Sequence, residues 1–90
     1  MRFEWDETKA AANEAKHGVS FGEAQTVFDD PLFIDFYDPN HSKDENRYII
    51  VGLSKAGRLL IASYTEREST IRLITARRAT RREREAYEEK

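Results

Sequence analysis

Cysteine is absent from the chain. That excludes disulfide staples and thiolate metal sites. Histidine occurs only as His17 and His41, without the close paired spacing of a zinc site. The acidic residues are scattered and form no calcium-loop pattern. The expectation is no metal and no cofactor. The four glycines stand apart at caps and turns, so no phosphate-cradling glycine loop exists. A GxSxG elbow is missing as well, which removes support for acyl transfer by serine. No apolar run approaches the length needed to cross a bilayer. The segment Met1–Asp6 lacks the apolar core of a signal peptide. These absences predict a soluble cytoplasmic protein with no membrane partner.

What is present is charge, unevenly spread. Residues 1–46 hold 4 Lys/Arg against 11 Asp/Glu, and residues 47–90 hold 11 against 6. The halves carry −7 and +5, which together make the formal −2 of the whole chain. Such asymmetry points to nucleic acid or an acidic partner. Ninety residues with 39% hydrophobic content suit one domain, residues 1–90, around one small core.

The elements follow from local signals. Phe3 and Trp5 mark a short N-terminal strand. Asp6 is a suitable N-cap, the Ala10-Ala11-Ala12 run favours helix, and Gly18 is the expected residue after a helix ending near His17. Ser20 and Glu23 form a capping-box pattern for a second helix, with Phe21, Ala24, Val27 and Phe28 on one stripe and Pro31 ending it. Strands are predicted over 32–37, 47–53, 59–66 and 71–77. Thr80 and Glu83 repeat the capping box for a terminal helix over roughly 80–89. Short links between successive strands require antiparallel pairing. The fold class is therefore α+β: a curved four-strand antiparallel meander backed by two helices, with one face partly open.

The last third of the chain alternates apolar residues with arginine. A guanidinium donates two parallel charge-assisted hydrogen bonds to phosphate, so Arg67, Arg72, Arg77 and Arg78 suit a polyanion. The plainer reading is a solvated face, or arginines paired with Asp and Glu. His41 lies in a polar loop and can move protons. Its alternative is a loop histidine of no consequence. Lys16 and His17 close the first helix, where capping explains Gly18 and partly Lys16. Tyr48 and Tyr64 could stack a base on an open sheet face or serve as core with a hydroxyl at the rim. Trp5 reads as a packing anchor for the first helix.

Several stretches together resemble the BrnT family of type II toxin–antitoxin toxins. They are Phe3-Glu4-Trp5-Asp6, Lys16-His17-Gly18-Val19-Ser20-Phe21 and Val27-Phe28-Asp29-Asp30-Pro31. They continue with Glu45-Asn46-Arg47-Tyr48, Gly57-Arg58-Leu59-Leu60, Thr65-Glu66-Arg67 and Arg72-Leu73-Ile74-Thr75-Ala76-Arg77. The resemblance implies a RelE-like fold and a ribonuclease that blocks translation. It implies neutralisation by a BrnA-type antitoxin, with DNA met only indirectly through that antitoxin. Carried onto this chain, it implies catalytic roles for Lys16, His17, Arg67 and Arg77, with His41 and Arg72 as secondary candidates, and RNA contacts from His41, Arg47, Tyr64, Arg72 and Arg78. The implied chemistry is metal-independent attack of the RNA 2′-hydroxyl on the adjacent phosphate. The alternative is a non-catalytic RNA- or protein-binding module, a degenerate toxin that uses the same basic face.

Overall fold

The structure is a computed structural model that describes residues 1–89. The chain runs β1 (Arg2–Glu4), α1 (Glu7–His17), α2 (Phe21–Gln25), β2 (Ile34–Tyr37), β3 (Arg47–Leu53), β4 (Leu59–Arg67), β5 (Thr70–Arg78) and α3 (Arg81–Glu88). The predicted N-caps of the first two helices form. The Asp6 carboxylate accepts the Lys9 N–H at 3.0 Å, and Ser20 Oγ accepts the Glu23 N–H at 3.0 Å. Gly18 ends α1 at φ 69°, in the left-handed region that glycine enters without strain. The second helix is shorter than its stripe suggests. It tightens into a 3-10 turn over Thr26–Asp29, which still buries Val27.

The four-strand meander β2–β3–β4–β5 is antiparallel as expected. The sheet has five strands rather than four, in the order β1-β5-β4-β3-β2. The N-terminal strand joins the edge of β5 in parallel, pairing Phe3 with Ile71. The whole intervening chain supplies the long crossover that a parallel pair needs. The second predicted strand starts later, at Ile34, because Asp30 binds the Leu32 N–H and holds Pro31–Leu32 in a turn.

The helix-side face carries Ile50, Leu60, Ala62, Tyr64, Ile71, Leu73 and Ala76, packed on Val19, Phe21, Ala24 and Val27. Trp5 sits edge-on to Phe21, the first residue of α2, at 5.9 Å, and packs against the same core as Ala10 of α1. On the opposite face, Val51, Leu59 and Ile61 form a smaller core with Tyr87 of α3 and Ala79. That core occupies one end of the face and leaves the other end open.

Two features set the geometry of the open end. Ser63 pairs with Thr75 but Tyr64 pairs with Leu73, so Ile74 is an extra residue, a bulge in β5. And β1 covers β5 only as far as Arg72. Beyond it, the buried Asn13 side chain takes the place of a strand. It donates to the Ala76 carbonyl at 2.8 Å and to the Val19 carbonyl at 3.0 Å, and accepts the Ala76 N–H at 3.1 Å. This ties α1 to β5 and fixes which way the C-terminal half of β5 faces.

Candidate anion-binding face

Residues opposed in register share a sheet face. Arg47, Thr65, Arg72 and Glu4 are opposed across β3, β4, β5 and β1, and form one row. The next row outward pairs Arg67 with Thr70. One row inward, Ser63 and Thr75 share a hydroxyl–hydroxyl hydrogen bond of 2.6 Å. Glu4, Glu45, Thr65, Arg67, Glu68, Thr70 and Arg72 line a recess of about 370 Å³. Glu45 also borders a second recess of about 310 Å³, lined by Asn40, His41, Lys43, Asp44 and Arg47. The two run side by side across the open end of the sheet.

The arginines differ in how firmly they are held. Arg67 meets Glu45 at 3.2 Å and Arg72 meets Glu4 at 2.9 Å, both at exposed positions. Exposed pairs contribute about 0–1 kcal/mol, so an incoming phosphate displaces these carboxylates at little cost. Arg77 is different. It donates two hydrogen bonds to Glu83, at 2.9 and 2.8 Å, and Glu83 also closes the Thr80 capping box at the start of α3. These bonds from Arg77, against an opposing effect of partial burial, hold the Glu83 carboxyl down at about 2. Arg47 makes no ion pair among the described residues, and its Nε is buried without a hydrogen-bond partner. An unpaired, half-buried guanidinium is poised to accept an anion.

The Glu83 carboxyl sets an acid dependence. Its value in the folded chain lies below the ordinary 4.5, so its stabilising effect is complete above that value and is lost as pH falls toward about 2. Glu83→Gln is therefore expected to flatten the fall in melting temperature over that window, measured by circular dichroism. An unchanged slope would show that the Arg77–Glu83 contact does not hold α3 in place.

The sequence candidates separate. Arg47, Arg67 and Arg72 gather on the open end, with His41 beside them. Arg77 shares the face but stands opposite Ile61, six residues before Arg67, about 20 Å away at strand spacing. Arg67 and Arg77 therefore do not flank one phosphate. Lys16 and His17 end α1, which packs on the helix-side face, and are not brought to the arginine row. Arg78 opposes Leu60 and belongs to that helix side too. Tyr64 is corrected outright as a base-stacking candidate. It is 4% exposed, it packs edge-on to Phe28 at 5.1 Å and stacked with Tyr48 at 5.6 Å, and its hydroxyl donates to Asp35 at 2.9 Å. Burial and that hydrogen bond push its phenol well up. Its alternation with Ser63 and Thr65 turns it to the core.

Sequence reasoning missed the partners: Glu4, Glu45 and Glu83 on the arginines, and Asp38 on His41. All but Asp38 lie far from their arginine in sequence or in another element, and no local signal links them.

The row of guanidinium groups on the open end of a helix-backed, mostly antiparallel sheet belongs to a small α+β protein with a candidate anion-binding face. The chain belongs to the BrnT family, the ribonuclease toxins of type II toxin–antitoxin systems, whose family model matches residues 5–83. Its fold is similar to the crystal structure of the Brucella abortus ribonuclease toxin BrnT, with a TM-score of 0.65 and 23% identity. The likeness covers 90% of this chain and 99% of that one. No curated protein matches the sequence.

Proposed function

We propose that this chain cleaves RNA without a metal, on the open end of the sheet. The supporting observation is the row Arg47–Thr65–Arg72, flanked by Arg67, in which one arginine is unpaired and two are held by exposed carboxylates. The reaction needs no cofactor. The 2′-oxygen bonds to the adjacent phosphorus and gives its proton to a base. The bond from phosphorus to the 5′-oxygen breaks, and that oxygen takes up a proton. The products are a 2′,3′-cyclic phosphate and a 5′-hydroxyl. Negative charge grows on the nonbridging oxygens, where preorganised guanidinium donors act most strongly. Arg47, Arg67 and Arg72 supply them in this reading.

The family assignment extends the proposal. RNA cleavage blocks translation in the cytoplasm, and a BrnA-type antitoxin masks the toxin and alone contacts DNA. The 90 residues act as one domain.

The test is cleavage of labelled RNA in EDTA by the native chain, by Arg67→Ala/Arg72→Ala and by Lys16→Ala/His17→Ala. The native chain is expected to cut and to leave a cyclic phosphate. The arginine variant is expected to lose about 10²- to 10³-fold or more in rate, the range for loss of a single oxyanion donor. The helix-end variant is expected to keep its activity. Loss in the helix-end variant with full activity in the arginine variant would move the site to the helix side. Binding without cutting would favour the non-catalytic module.

A further inference from the structure

We infer that His41 is the proton-transfer residue of this site and that Asp38 is its positioning residue, an inference that rests on the RNA-cleavage reading above. His41 Nδ1 lies 2.8 Å from Asp38 Oδ2. The Asp38 side chain is 12% exposed, whereas that of His41 is 64% exposed. A sheltered carboxylate thus faces one ring nitrogen while the ring itself stands open to a ligand. The carboxylate fixes the proton on Nδ1 and leaves Nε2 as the nitrogen that can accept one.

The loop is built to hold this pair beside Arg47. Asp38 Oδ1 accepts the Asn40 N–H at 3.2 Å and starts the 3-10 turn Pro39–His41. Ser42 Oγ donates to the Asp38 carbonyl at 2.6 Å and accepts the Arg47 N–H at 2.9 Å. The Asp38 N–H donates to the Arg47 carbonyl at 2.8 Å. Three bonds therefore strap the two ends of the loop together. His41 and Arg47 line one recess, with Lys43 contributing positive charge and Asp44 and Glu45 negative charge at its rim. That recess adjoins the arginine row through Glu45. A phosphate held by Arg47 would lie within the same recess as the imidazole. Nε2 then takes the proton of the 2′-hydroxyl as the 2′-oxygen bonds to phosphorus, and solvent protonates the departing 5′-oxygen.

The test compares His41→Ala, Asp38→Asn and the native chain on labelled RNA, free and in a ribosome-containing translation extract, across the neutral pH range. His41→Ala is expected to lower kcat by about 10²-fold or more, with an unchanged melting temperature and partial recovery on adding imidazole. Asp38→Asn is expected to lower kcat by roughly tenfold and to leave KM unchanged. A His41→Ala chain that cuts at the native rate at every pH, while Arg67→Ala/Arg72→Ala is impaired, overturns the inference and leaves the cleavage reading standing. A loss confined to KM, or one that imidazole does not relieve, also overturns it and makes His41 an RNA contact. A native chain that cuts RNA in neither setting overturns both.

Discussion

Asn13→Ala is expected to destabilise the fold by about 3–5 kcal/mol, a large share of the roughly 5–15 kcal/mol that holds an ordinary domain together. Asn13 is 8% exposed and its amide serves three backbone groups: the Ala76 N–H, the Ala76 carbonyl and the Val19 carbonyl. Alanine leaves all three buried without partners, and each orphan costs about 1–3 kcal/mol. Water offsets part of the sum, since the edge of β5 is close to solvent once the amide is gone. Asn13→Asp separates the components. It keeps one acceptor for the Ala76 N–H but sets a carboxylate against two carbonyls, and is expected to be at least as damaging as alanine. Chemical denaturation with a two-state fit measures both. A loss under about 1 kcal/mol for Asn13→Ala would show that the side chain is not the strand substitute described above.

Gly52→Val is expected to cost more than about 3 kcal/mol, the upper range for overpacking a core. Gly52 lies in β3 opposite Leu60, under the 3-10 turn that follows α2. A Cβ built there would meet Val27 Cγ1 at 2.8 Å, Phe33 Cβ at 3.1 Å and Asp30 Oδ2 at 3.3 Å. Val27 is fully buried and cannot swing aside. Asp30 is fixed as well, since Oδ2 accepts the Leu53 N–H at 2.8 Å and the Tyr87 hydroxyl at 2.5 Å. That second bond pushes the Tyr87 phenol up to about 12. The clash would lift the turn from the sheet and pull on α3 through Tyr87. Val27→Ala is expected to restore part of the stability of Gly52→Val by vacating the closest contact. Melting curves for the single and double variants read this directly, and no recovery in the double variant would place the strain elsewhere.

The elements legible in the sequence were those written in adjacent residues. Asp6 with Lys9, Ser20 with Glu23, and Thr80 with Glu83 each lie three apart, and each forms the N-cap bond. Only Thr80 and Glu83 close the full box, because Ser54 and Arg58 take the Glu23 carboxylate. The meander follows from short links. What escaped depends on residues far apart in the chain. The parallel pairing of Phe3 with Ile71 leaves no mark on either segment alone. The bulge is the clearest case. Arg72 and Arg77 are an odd number apart, so strict alternation puts them on opposite faces. The extra residue at Ile74 returns them to one face, as the pairings of Arg72 with Thr65 and of Arg77 with Ile61 require. Tyr64 failed as a surface candidate because one step along a strand reverses the side: its neighbours Ser63 and Thr65 take the open face and turn it to the core. The grouping of Arg47, Arg67 and Arg72 was thus present as residue types, while their common side was decided by the sheet.

The carboxylates of Glu4 and Glu45 give the open face a second property. Each sits on an arginine, so from a distance the face presents pairs of opposite charge that largely cancel, on a chain whose formal charge is −2. Long-range attraction therefore does little to draw polyanions in from solution. On the proposed reading, discrimination begins at contact, when phosphates take the places of Glu45 on Arg67 and Glu4 on Arg72. Such a surface would respond to shape and spacing rather than to charge alone.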